Sequence, residues 1–145
     1  MKMEKNVKTR CIKAGVLMTL CLFLSLGSTV YAAAPTVAFN NFKISTGLEN
    51  GGTAYSTEAL KTSAKDYATI KISSLSNTSY GVWMRMDKGT QNNRKVATSE
   101  QHITSVKTVN SYYKSGMKTI GATYVVVGRL APGSPNVTVS GNATP

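Results

Sequence analysis

The chain has 145 residues, 41% of them hydrophobic, and a formal net charge of +11 from 17 Lys and Arg against 6 Asp and Glu. It holds one histidine and two cysteines. That inventory excludes a chain of several domains, a zinc site built from thiolates and imidazoles, and a fold stapled by several disulfides.

Residues 1–32 read as a secretory signal peptide. Lys2, Lys5, Lys8, Arg10 and Lys13 make a positive region, and residues 14–27, "AGVLMTLCLFLSLG", make an apolar stretch of 14. A membrane-spanning helix needs about 20 such residues. Val30-Tyr31-Ala32 then supplies small residues around a cleavage point. The expected cut follows Ala32, with Ala34 as the alternative. Cys11 and Cys21 both fall in this segment. Cys21 sits in the middle of the apolar run, not at its end, which argues against lipid attachment.

Residues 33–145 then form the working domain, 113 residues without cysteine. An exported domain of this kind holds itself together by its core alone. Twelve Lys and Arg against five Asp and Glu leave it a net charge of +7. A basic leader with a cysteine-free mature chain fits a Gram-positive bacterium, where the sequons at Asn77, Asn136 and Asn142 carry no sugar.

Thr, Ser, Val, Tyr and Asn dominate this domain and the alternations have period two, so it is read as all-β. "TVAFNNFKIS" puts Val37 and Phe39 on one face, then shifts phase to Phe42 and Ile44. The doubled Asn40-Asn41 marks a bulge. Asn50-Gly51-Gly52 is a turn signal. "AYSTEALKT" has a possible helix opening at Ser56-Thr57-Glu58 but is read as a strand, with residues 61–65 as a short link. In "DYATIKISS", Ala68, Ile70 and Ile72 face inward and Tyr67, Thr69 and Lys71 outward. "YGVWMRMD" places Val82, Met84 and Met86 on one face, Trp83 and Arg85 on the other. "DKGTQNN" is a loop bending at Gly89, "RKVAT" a short strand and "HITSVKTV" another. "YYKSGMK" turns at Gly116. "TIGATYVVVGRL" is the most apolar strand, with Ile120, Ala122, Tyr124 and Val126 opposed by Val125 and Val127. It reads as buried on both faces near its end. "APGSP" is a turn, and "NVTVSGNATP" a last strand with a frayed end. Seven or eight short strands with turns at this spacing predict a single antiparallel β-sandwich.

Catalytic chemistry finds little purchase. His102 is the only histidine and lies beside Glu100 in a polar stretch. Glu49, Glu58, Asp66, Asp87 and Glu100 are scattered singly, with no spacing that pairs two carboxylates. No metal-ligand pattern and no phosphate-cradling loop occurs, so neither metal nor cofactor is expected. The net positive charge instead favours an anionic partner: a cell-wall polymer, a membrane surface or extracellular nucleic acid, without sequence-specific nucleic-acid reading. The candidate contact surface is Trp83 and Arg85 together with Tyr112, Tyr113, Lys114 and Lys118, where tyrosines stand beside lysines in "SYYKSGMK". A monomer is expected.

Residues 36–145 also resemble a group of small secreted proteins of Gram-positive bacteria. The likeness lies in "AYSTEALKTSAKDYATIKI", "GVWMRMDKGTQNNRKVAT", "YYKSGMKTIGATYVVVGRL" and the closing "VTVSGNATP". Asn142-Ala143 stands where such proteins carry an aromatic after "VSG". This resemblance implies a single β-sandwich and lends no catalytic residues. "SYYKSGMKTIGATYVV" is also similar to the tyrosine- and lysine-bearing stretch of lactococcin-like bacteriocins, although it lies late in this chain and early in theirs. It implies an alternative antimicrobial or toxin-like role.

Overall fold

A computed structural model describes residues 35–46 and 52–145. The signal-peptide segment and most of the Asn50-Gly51-Gly52 turn lie outside the described residues. Among the described residues nine strands are found: β1 Val37–Ile44, β2 Thr53–Leu60, β3 Tyr67–Leu75, β4 Val82–Gly89, β5 Arg94–Val96, β6 Gln101–Ile103, β7 Thr108–Tyr112, β8 Thr123–Leu130 and β9 Val137–Thr144. They form two antiparallel sheets packed together, in the manner of a sandwich. Sheet A has the order β1-β9-β3-β7. Sheet B has the order β2-β8-β4-β5, with β6 also paired to β4.

The chain crosses from sheet to sheet at nearly every connection, so the strands in the middle of each sheet are far apart in sequence. In sheet A, β9 lies between β1 and β3: Val37 pairs with Ala143 and Thr69 with Thr144. In sheet B, β8 lies between β2 and β4. The side chains facing the middle follow from the period of two. Ile70, Ile72, Val137, Val139 and Phe39 of sheet A meet Val82, Met84, Met86, Tyr124 and Val126 of sheet B in one buried cluster. β1 packs beside β2 along one margin. Along the other, the sheets are stitched together. Thr98 bridges Tyr113, the Ser99 amide donates to the Tyr112 carbonyl at 3.0 Å, and the Lys114 amide to that of Ala97 at 2.8 Å.

The phase shift in β1 is a bulge, with the register broken between Phe39 and Phe42 and Asn41 at φ 50°. A second register shift, between Tyr55 and Glu58, breaks β2. Four expectations are corrected. "HITSVKTV" is not one strand: its two ends are β6 in sheet B and β7 in sheet A, which accounts for a ninth strand. Ile120 does not face the core; it is 58% exposed in the turn before β8. "DKGTQNN" is not all loop, since β4 continues through Gly89, where it pairs with Arg94. The end of β9 is not frayed, because it is paired on both sides and Ala143 is fully buried. The apolar strand does bury both faces, with Tyr124 to Val127 all fully covered.

Candidate binding surface

The outer face of sheet B carries an ionic layer along β4. Trp83, Arg85 and Asp87 alternate along β4 and pair with Arg129, Val127 and Val125 of β8. Arg85 Nε donates to Asp87 Oδ1 at 2.8 Å and its Nη1 to Glu100 Oε1 at 3.2 Å. Arg129 Nε stands 3.0 Å from Glu100 Oε1. Arg94 Nε stands 3.7 Å from Asp87 Oδ2, and its guanidinium lies 3.6 Å over the Tyr55 ring. Asp87, by hydrogen bond first, holds Arg85 above its ordinary pKa. Val125 and Val127 face outward yet are fully buried, with Tyr55, Arg85, Asp87 and Glu58 as their cross-strand neighbours. The arginine stems and the tyrosine ring supply an apolar cover for these valines. β4 and the residue just before β6 thus bring Asp87 and Glu100 onto one guanidinium, a convergence the sequence spacing did not suggest.

Trp83 extends this layer. Its ring stacks on His102 at 4.6 Å with 20° between planes, because the two residues are cross-strand partners. His102 Nε2 lies 2.8 Å from the Tyr80 carbonyl oxygen, so this nitrogen carries the proton and donates it.

The outer face of sheet A has the opposite character. None of its four strands contains Asp or Glu. Antiparallel register arranges the outward residues in rungs. Tyr112 pairs with Tyr67, and Asn110 with Thr69, which pairs with Thr144. Thr108 pairs with Lys71, which pairs with Asn142, and Thr138 with Lys43. The two tyrosine rings meet edge to face at 5.7 Å, and Lys65 Nζ stands 5.5 Å from the Tyr67 centroid. Thr69 Oγ1 donates to Asn110 Oδ1 at 3.3 Å, and the hydroxyls of Thr36 and Thr144 lie 2.9 Å apart. Lys43, Lys71 and Lys107 are exposed and, among the described residues, have no acidic partner. The acid at the margin, Asp66, is bound to Lys118, whose hydrogen bond and charge hold its carboxyl below the usual range.

The six residues predicted as one contact surface are therefore divided. Trp83 and Arg85 lie on sheet B, where Arg85 is engaged by two carboxylates. Tyr112, 60% exposed, lies on sheet A. Tyr113 turns the other way: its ring packs on Tyr124 at 5.5 Å, and burial pushes its phenol pKa upward. Lys114 is exposed in the turn after β7, and Lys118 is tied to Asp66. The sequence places Tyr67, Thr69 and Lys71 on the outward face of their strand but does not mark them as contact residues. The signal that joins them to Tyr112 and Asn110 is the pairing of β3 with β7, which local sequence does not carry.

Fold and surface define a class: a two-sheet antiparallel β protein with one ion-paired face and one acid-free face rich in hydroxyls, amides and lysines. No family model, no curated protein and no solved structure matches the chain.

Proposed function

We propose that this protein is an exported, cationic binding protein of the bacterial cell surface, of Gram-positive type, that engages an anionic polymer through the outer face of sheet A without performing catalysis. The observation that carries the reading is the complete lack of Asp and Glu in the four strands of sheet A, on a face that presents Lys43, Lys71 and the Tyr67–Tyr112 pair. Lysines without carboxylates beside them leave a positive field pointed outward. Hydroxyls and amides in rungs supply donors and acceptors for a polyhydroxy chain, and tyrosine rings offer flat contact area. The leader-like N-terminus supports export, and the engagement of Asp87 and Glu100 by arginines supports binding over acid–base chemistry.

The test is sedimentation of the protein with isolated cell walls across a salt series. Binding is expected at low ionic strength and release as salt shortens the screening length. Lys71→Glu and Tyr67→Ala should each weaken binding about tenfold. Arg129→Ala, on the other sheet, should leave it unchanged. Absence of sedimentation at low salt, or equal loss with Arg129→Ala, refutes the assignment to sheet A.

A further inference from the structure

A second site lies on the opposite sheet. Between β2 and the tip of the β4–β5 hairpin is a cleft of about 370 Å³, lined by Thr57, Glu58, Thr90, Gln91 and Asn92. Its size is at the lower end of pockets that hold small ligands, about 300–1,000 Å³. Two features of the backbone build it. The bulge between Tyr55 and Glu58 shifts the phase of β2, so that Ala59 enters the core and Glu58 faces out opposite Val125. The hairpin tip is then fastened over this strand: Gln91 Nε2 donates to the Ser56 carbonyl at 2.9 Å, and Arg94 holds the Gln91 carbonyl. The Asn93 amide donates to Thr90 Oγ1 at 3.3 Å, and the Thr90 amide to the Asn93 carbonyl at 3.0 Å. Bulges of this kind re-aim side chains next to functional sites.

Among the described residues, Glu58 is the acid without an ion pair. Of the four described acidic side chains, Asp66, Asp87 and Glu100 are ion-paired. Among the described residues Glu58 has no side-chain hydrogen-bond or ion-pair partner, in a protein with lysines to spare, and neither do the side chains of Thr57 and Asn92. A carboxylate takes a cation, while threonine hydroxyls and Gln/Asn amides both donate and accept and so match hydroxyl groups. We propose that this cleft binds a small polyhydroxy molecule bearing a protonated amine, that is, an amino sugar, with Glu58 on the ammonium group and Thr57, Thr90 and Asn92 on the hydroxyls. It would add recognition of a sugar unit to the polymer binding of sheet A, but neither site depends on the other.

The experiment is an NMR titration of the 15N-labelled protein with glucosamine, glucose and ethanolamine at mildly acidic pH. Glucosamine should shift the backbone amides of Glu58 and of Thr90 to Asn92 saturably. Glucose and ethanolamine, each lacking one half of the match, should bind at least tenfold more weakly. Glu58→Gln, which keeps the shape and removes the charge, should weaken glucosamine at least tenfold. Asn92→Ala, at an exposed hairpin tip, should weaken it by a smaller factor. No shift at these amides, equal binding of glucose, or unchanged affinity in Glu58→Gln overturns the proposal. Tyr67→Ala should leave this titration unaffected, so loss of wall binding and loss of sugar binding are read separately.

Discussion

Lys61 is the residue most at odds with its surroundings. It is fully buried, and its Nζ has no hydrogen-bond partner among the described residues. Its nearest compensation is the Tyr113 ring, with the centroid 4.5 Å away. Ser63 Oγ and Tyr113 OH are also buried without partners. An unpaired buried cation is expensive, and the response is a lowered pKa, caused first by burial, then by the charge of Lys118, against an opposing contribution from Asp66. Between the lowered folded pKa and the ordinary 10.5 the unfolded chain holds more protons at this site. Stability therefore rises with pH across that window, and the penalty is present in full below the folded value. Tyr113 and Tyr124 act oppositely. Burial raises both, so above about pH 10 the unfolded chain loses these protons first and stability falls. Lys61→Met should remove the rise with pH and stabilise the fold at neutral pH by about 1–3 kcal/mol. Urea unfolding of both proteins at several pH values measures this. A less stable Met variant would show that the contact with Tyr113 outweighs the desolvation. None of this was legible in sequence, where Lys61 began a short polar link. Its burial is decided by where Tyr113 lands, a contact across half the domain.

The elements were legible where one sheet face stays buried over several successive alternations. β3 alternates from Tyr67 to Ile72 and β4 from Val82 to Met86, so Ala68, Ile70 and Ile72, and then Val82, Met84 and Met86, stood out by period alone, and all six are buried. "HITSVKTV" failed because Ile103 and Val109 keep the same phase while belonging to different sheets. The break at residues 104–107 is visible only in the fold, where Val106 is 61% exposed. The bulge in β2 was missed although Ala54 and Ala59 are out of phase, because alanine is a weak marker of a buried face. The "frayed" end of β9 misled for another reason. Gly141 there is a packing device: a Cβ on it would stand inside contact distance of the Lys71 carbonyl oxygen and 2.9 Å from Phe39 Cζ. Gly128 is different. A Cβ there would meet Ile44 Cδ1 at 2.6 Å, the tip of a flexible side chain. Gly141→Ala should therefore cost about 1–3 kcal/mol or more, and Gly128→Ala clearly less. Thermal unfolding of the two variants ranks them, and equal losses would mean that the Lys71 backbone yields as readily as the Ile44 side chain.

At the scale of the molecule, the acid-free face and the fold's closure have one origin. The last strand lies between the first and the third, so Asn142 stands between Ala38 and Lys71, and Thr144 beside Thr69. Without β9, sheet A would lose one of its two inner strands, and β1 would lose its strand partner. Binary patterning gave the fold class, because several strands, β3 and β4 above all, carry a local period of two. It could not give the face, because which strands share a sheet depends on pairings as distant as Val37 with Ala143. Such non-local pairing delays the closure of the fold. A chain exported as proposed above leaves the cell N-terminus first, and it has no disulfide to hold an incomplete sheet. β1 cannot pair until the C-terminal residues have emerged. A chain truncated before Val137 should therefore lack a cooperative unfolding transition and be cleaved rapidly by a nonspecific protease. The intact chain should unfold in a single transition with its core protected. Supplying a peptide of residues 137–145 in excess should restore part of that protection by pairing with β1 and β3. Cooperative, protease-resistant folding of the truncated chain would show instead that sheet B and the Thr98–Tyr113 stitch suffice to hold the domain.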